Sequence, residues 1–454
     1  MQSPILRNFR KVVTSKFISE AAQKVVFNKR STAQISGLDF TRMLIMQSGS
    51  GREINYSNLN ETISKLNRNV SISNQALSEY LCKDSSVKLL KSIYEKIFTF
   101  QKQALSQKCS KNIDQRLEVF NRILLQDSTF CVLHNNLALI YKGSGGSASK
   151  ASLKIDVIHE LKTSSVIKLT ILPGNVPDAS LAKLLLDELL PGDLILRDLG
   201  YFKMGELNEI ANENAYFISR YKSPVTVRIS DNSVDLGRYL NATYDRFPNQ
   251  IIDVDVHLGP KALGARLIAY KIPPEVAATR RRKVKREAVC QGSTCSEGRL
   301  NLCDFIILIT NIPRDLIEAD IIGTIYRIRW QIELIFKTWK SQLNLQNNLE
   351  FRKQNCILCI MYTTLIVCLL TIMIHGWLKK MVDPLGKEIS LDKLTKWLVN
   401  KQGYFTLFIG SIEKLEIEIQ RDLRKIRMQK RKRKTTIERV NCSESYGEKY
   451  VVNF

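Results

Sequence analysis

The stretch from Tyr326 to Lys340, "YRIRWQIELIFKTWK", places Tyr326, Arg329, Glu333 and Lys340 at offsets of three, seven and fourteen residues. At roughly 100° per residue in an α-helix, those four side chains fall within an arc of about 60° and share one face. Ile325, Ile328, Ile332, Ile335, Phe336 and Trp339 fill the adjoining arc, the broad apolar stripe of a helix packed onto a domain core. The stripe accounts for the helix and leaves its polar face open to two readings. Either Arg329 and Glu333 form a solvated i,i+4 pair worth about 0.3 kcal/mol, or the face belongs to an active site. The rest of the chain has to decide between them.

A chain of 454 residues, 44% hydrophobic and 25% charged, has a globular composition and room for several cores, which excludes a disordered tail protein. Lys and Arg number 68 against 44 Asp and Glu, a net charge of +24, so the surface attracts polyanions, nucleic acid first among them. The excess peaks at "TRRRKVKRE" (279–287) and "RKIRMQKRKRK" (424–434). The ten cysteines point to reduced thiols in a cytosol. Cys290, Cys295 and Cys303 lie close together without histidine or a usual zinc spacing. The uncharged stretch 356–377, "CILCIMYTTLIVCLLTIMIHGW", is long enough to span a bilayer. It stands alone, carries Thr363, Thr364 and Thr371, and follows an amphipathic helix, so the expectation is a buried core helix and no membrane.

Residues 1–120 show helical periodicity in "NLNETISKLNRNV", "SNQALSEYLC" and "SVKLLKSIYEKIFTFQKQAL". The first two, joined at "NVSIS", are a candidate helix-turn-helix. From residue 121 the pattern changes to strands, "STFCVLH", "SLKIDVIHEL" and "SVIKLTILPG". The glycines of "KGSGGSAS" lack the Gly-Lys-Ser/Thr ending of a phosphate cradle and read as a loop. A helix "DASLAKLLLDELL", a strand in "GDLILRDLGYF", a helix "KMGELNEIANEN" and a strand "AYFISRY" follow. This alternation predicts an α/β layered core over 121–221. Residues 222–303 read as a β-rich insertion. The core resumes over 304–380 with the strand "DFIILIT" and a long helix from near Asp315, and 381–454 form a basic helical region.

Within the α/β part, Asp127 opens the strand "STFCVLH" and Asp198 closes the strand "LILRD". Ligands of open α/β sheets collect at strand ends. Glu333 adds a third carboxylate from the helix beyond the insertion, and carboxylates are the hard oxygen ligands that divalent cations need. Asp156 competes for the first position.

The pattern Y-x2-R-x3-E-x6-K, met by Tyr326, Arg329, Glu333 and Lys340, resembles the signature of the DDE transposases of bacterial insertion sequences, the insertion-sequence-four group. "DST" at Asp127, "RDLGYF" around Asp198, "FISRYKS" and the insertion before the glutamate extend the resemblance over about residues 121–380. Asp156 lacks the "DST" setting. Asp127 and Asp198 lie 71 residues apart, and Asp198 and Glu333 lie 135 apart, lengthened by the insertion.

The resemblance implies a ribonuclease-H-like core with helical flanks, the first a DNA-end-binding domain. Asp127, Asp198 and Glu333 would be catalytic and ligate two Mg²⁺ or Mn²⁺ ions, an arrangement suited to phosphodiester chemistry because the ions stabilise both entering and leaving oxygens. Arg329, Lys340, Tyr326 and Arg220 are the expected DNA phosphate contacts. Trp330 is the candidate for stacking on a flipped base in a hairpin intermediate, with Tyr270 a substitute, since the insertion holds no tryptophan. The implied activity is cut-and-paste transposition of double-stranded DNA, joining terminal inverted repeats to a target, by a homodimer in the bacterial cytoplasm associated with the nucleoid. The alternative is a catalytically inactive transposase-derived DNA-binding regulator.

Overall fold

A computed structural model of the chain describes residues 14–28, 34–68, 70–105, 115–145, 149–346, 351–382, 388–408 and 412–427. The basic run beyond Arg427 lies outside them. The described residues divide into two compact units, one drawn from the N-terminal helices, 128–176 and 332–427, the other from 115–127 and 177–331.

The first unit begins with helices Ser15–Lys24, Gly37–Ser48, Tyr56–Leu66, Asn74–Cys82 and Asp84–Leu105. Thr14, Ser36, Asn55 and Ser73 cap the first four, each side-chain oxygen accepting from the amide three residues on. Tyr56–Leu66 and Asn74–Cys82 are the two short helices of the expected pair. The helix Gln354–Val382, whose apolar stretch is 89% buried within the protein, packs among three of them, Gly37–Ser48, Asn74–Cys82 and Asp84–Leu105. Its threonines fit this burial, because the Thr363, Thr364 and Thr371 hydroxyls donate to the carbonyls of Cys359, Ile360 and Val367 one turn back. Cys356 and Cys359 make a C-x-x-C spacing within this helix, and burial pushes the Cys356 thiol up to about 12 and that of Cys359 well above its usual value. They are packing thiols, with the Sγ of Cys82 3.1 Å from that of Cys356.

Strands β1 (Ile123–Val132), β2 (Ser152–Glu160) and β3 (Ser165–Pro173) follow in the chain, the last two paired antiparallel. β1 starts four residues before Asp127, not at it. Ile123, Leu124 and Leu125 are fully buried against β4, and this apolar run, not the polar Asp-Ser-Thr step, begins the strand.

In the second unit the first half of β1 is continued by β4 (Leu194–Arg197), β5 (Tyr216–Arg220), β6 (Val227–Ile229), β7 (Asn232–Val234), β8 (Ile252–Leu258), β9 (Leu263–Lys271) and β10 (Phe305–Thr310), in the spatial order β1-β4-β5-β10-β9-β8-β6-β7. β1, β4 and β5 are parallel, and the remaining pairings are antiparallel. The four insertion strands therefore extend the core sheet. The insertion is also more helical than expected. Its basic run lies on the 17-residue helix Pro274–Cys290, where Arg280 donates to the Phe305 carbonyl and Arg281 pairs with Asp304. Arg282, Lys283, Lys285 and Arg286 remain exposed.

Two predicted helices are broken. The one from Asp178 becomes a four-residue α-helix followed by a 3-10 segment, Ala182–Glu188. The one from Asp315 starts at Ala319, because Arg266 Nη1 donates to the carbonyls of Ile312 and Ile317 and holds that segment as a loop. It then tightens to 3-10 geometry over Arg327–Arg329 before resuming as Trp330–Gln342.

Two measurements follow from the buried core of the first unit. Leu365 is fully buried on the helix Gln354–Val382, so Leu365→Ala should cost about 2–5 kcal/mol in urea unfolding. Burial lowers His159 to about 3 and His375 to about 4, from 6.5. Unfolded imidazoles bind protons that the folded ones refuse, so this contribution is intact above pH 6.5 and is lost as pH falls toward 4. His375→Gln should flatten that part of the stability profile measured by thermal melting.

Candidate active site

The parallel register between β1 and β4 is constant. Ile123 pairs with Leu194 and Gln126 with Arg197, each an offset of 71 residues, the same separation as Asp127 and Asp198. The two aspartates are therefore the next residues along two neighbouring strands spaced about 4.8 Å apart. At the other end, Asp193 is fully buried and takes a two-point ion pair from Arg122, with Nε to Oδ1 at 2.9 Å.

Asp127 is half-buried, and Arg329 Nη1 stands 3.8 Å from its Oδ2. Asp198 follows β4 in extended conformation before the 3-10 turn Leu199–Tyr201. It lines a small pocket with Arg197, Tyr201, Phe202, Phe217 and Ser219. Tyr326 is 2% exposed, and its hydroxyl donates to the Arg197 carbonyl at 3.1 Å, bracing the strand end that delivers Asp198. Burial pushes this phenol up to about 12, with Arg329 and Arg220 opposing the rise and Asp198 adding to it. Arg220 ends β5. Trp330 is 55% exposed, whereas Tyr270 is buried, its hydroxyl donating to the Ala319 carbonyl and accepting from the Gly323 amide.

Glu333 and Lys340 are half-buried in the helix Trp330–Gln342, on the part assigned to the first unit. The apolar stripe behaves as expected, with Ile325, Ile328, Ile332, Ile335, Phe336 and Trp339 all buried. Asp156 is 1% exposed inside β2 opposite Thr170 of β3. Among the described residues, no group of three His, Cys, Asp or Glu side chains is gathered closely enough to hold a metal ion. The donor chemistry nonetheless suits Mg²⁺, since Asp127 and Asp198 offer carboxylate oxygens side by side on rigid strands. Sequence reading missed the roles of Gln126, which carries no motif, and of Arg197, which opens "RDLGYF" and is otherwise marked only by preceding Asp198.

A mixed α/β unit in which parallel β1, β4 and β5 end in aspartates on two adjacent strands has the layout of a ribonuclease-H-like core. The family described as Transposase DDE domain matches residues 119–370. The chain is 31% identical over 365 residues to the transposase for insertion sequence element IS231B of Bacillus thuringiensis subsp. berliner, covering 76% of this chain and 74% of that protein. It is 27% identical over 385 residues to that of IS231F from Bacillus thuringiensis subsp. israelensis, covering 81% and 79%. With the transposase for IS1151 of Clostridium perfringens the identity is 29% over 361 residues, covering 75% and 74%. The chain belongs to the DDE transposases of insertion sequences, enzymes that cleave and transfer DNA strands.

Tyr326→Phe removes the donor to a buried carbonyl and should cost about 1–3 kcal/mol in thermal unfolding. Because the hydroxyl holds its proton up to about 12, the difference from wild type should stay constant between pH 7 and 10.

Proposed function

We propose that this transposase moves its element by cut-and-paste chemistry, with Asp127, Asp198 and Glu333 as the catalytic carboxylates. The observation that carries this reading is the register that sets Asp127 beside Asp198, with Arg329 at 3.8 Å. Glu333 follows Arg329 by one helical turn. Two Mg²⁺ or Mn²⁺ ions held by these carboxylates would supply charge neutralisation at the scissile phosphate and acidify an attacking water.

Arg329 and Lys340 grip phosphates of the transposon end, and Arg220 supports them from the end of β5. Tyr326 braces the Asp198 strand end, and a phosphate contact requires its hydroxyl to exchange the Arg197 carbonyl for a phosphate oxygen. The reaction order is nicking by water, attack of the freed 3′-hydroxyl on the opposite strand to close a hairpin, opening by a second water and joining to the target. Hairpin closure turns a base out of the stack, and Trp330, exposed beside Arg329, offers the ring to hold it.

The N-terminal helices, residues 1–120, read the terminal inverted repeats. Residues 121–221 and 304–380 carry the core, and the insertion 222–303 and the basic region 381–454 add phosphate contacts. Synapsis of two DNA ends calls for a homodimer, working on the nucleoid in the bacterial cytoplasm without a membrane.

The test uses duplex DNA from the borders of the element, end-labelled, with Mg²⁺ and purified protein. Wild type should nick it and form hairpins. Asp127→Asn, Asp198→Asn and Glu333→Gln should each abolish cleavage while DNA retention on a gel persists. Trp330→Ala should leave nicking intact and lower hairpin yield by about 5- to 150-fold, the equivalent of about 1–3 kcal/mol of base stacking. Binding without cleavage by wild type, with Mn²⁺ also tried, would replace this reading with an inactive DNA-binding regulator.

A further inference from the structure

Directly beneath the two aspartates lies a polar contact that sequence reading passed over. Gln126 and Arg197 occupy paired positions on β1 and β4, so their side chains leave the sheet on the same face. Both are buried, Gln126 completely. Arg197 Nη1 stands 3.5 Å from Gln126 Oε1 and donates to the Ala182 carbonyl at 3.0 Å. Gln126 Nε2 donates to the Leu181 carbonyl at 3.1 Å. Two consecutive carbonyls, where the helix Asp178–Leu181 tightens into a 3-10 segment, therefore receive one donor from each strand. A buried amide and a buried guanidinium are costly to desolvate without partners, so apolar residues would be the cheaper filling if packing were the sole requirement.

We infer that Gln126 and Arg197 are positioning residues, which clamp the β1 and β4 ends to the Leu181–Ala182 carbonyls and so fix the separation at which Asp127 and Asp198 meet a divalent cation. The inference rests on the proposed assignment of those aspartates as metal ligands. The clamp acts one residue before each carboxylate. A strand end free to slide or splay by a fraction of an ångström changes the distance between the two carboxylates while leaving the fold intact. Tyr326 holds the same strand end through the Arg197 carbonyl, so Arg197 is fixed at both its side chain and its backbone. Partners that orient metal ligands from behind typically contribute 10–100-fold in metal affinity.

The test is Mn²⁺ binding by the full-length protein in complex with border DNA, read from the electron paramagnetic resonance signal of the free ion, beside a thermal melt of each variant. Gln126→Met keeps volume and loses both polar contacts, and should weaken Mn²⁺ binding by about 10–100-fold with a cooperative melt and unchanged DNA affinity. Arg197→Lys keeps charge and one donor, and should show a smaller loss. Either variant melting cooperatively and binding Mn²⁺ as tightly as wild type would overturn the inference. Should Gln126→Met fail to fold, Arg197→Lys decides alone. Asp127→Asn and Asp198→Asn separate the two levels. If neither lowers Mn²⁺ binding, the aspartates are not the ligands and the reading beneath fails. If both lower it and the clamp variants do not, the clamp alone is wrong.

Discussion

Everything at the candidate site depends on one constraint, the unbroken parallel register of β1 and β4. A one-residue slip in either strand would turn every side chain to the other face, sending Asp198 to the side now occupied by Arg197. Polar pairs stand at both ends against such a slip. Arg122 and Asp193 pair at the start, with Asp193 fully buried, and Gln126 and Arg197 pair at the finish. The apolar steps between them, Ile123 to Leu125 against Leu194 to Leu196, supply burial without much choice of register, since one aliphatic residue replaces another at small cost. Polar pairs fix what apolar packing leaves degenerate.

The same division of labour recurs in the first unit. The helix Gln354–Val382 is apolar enough for a bilayer, and nothing in its composition forbids one. Its neighbours decide. Ser48 donates to the Thr364 hydroxyl at 3.2 Å, and Thr371 and Tyr404 share a hydrogen bond of 2.6 Å. Such cross-helix contacts give a uniformly apolar rod a rotation and a depth, so that its packing on Asp84–Leu105 and Gly37–Ser48 is specific.

Much of this was legible in the sequence because it lies in local patterns. The stripe from Ile325 to Trp339 announced a packed helix, and the alternation of strands and helices over 121–221 announced an α/β layered core, whose parallel pairing the structure adds. The number 71 was also visible, though only the structure shows it to be a register. What the sequence hid comes from long-range contacts. No periodicity reveals that Arg266 would hold Ile312 and Ile317 as a loop, or that the turn Arg327–Arg329 would tighten to 3-10 geometry. The run 279–287 reads as part of a β-rich insertion because its charges mask a helix with few apolar residues, held through Arg280 and Arg281. Gln126 was invisible for a simpler reason. A glutamine has no pattern of its own, and its meaning comes from a partner 71 residues away.

The tightened turn explains how the four signature residues can share a motif without sharing a task. A uniform α-helix would carry Tyr326, Arg329, Glu333 and Lys340 along one face. A 3-10 segment advances about 120° per residue instead of 100°, so three such residues turn the N-terminal part of the motif by about 60° relative to the rest. Tyr326 thereby lies buried against the Arg197 carbonyl, while Arg329 comes to Asp127 and Trp330 is left in solvent. Two residues of the motif thus engage the two strand ends that carry the aspartates, one through a backbone carbonyl and one through a carboxylate. Tyr326 and Arg329 therefore hold the ends of β1 and β4 from one short turn, and displacing either would loosen the strand ends that carry Asp127 and Asp198.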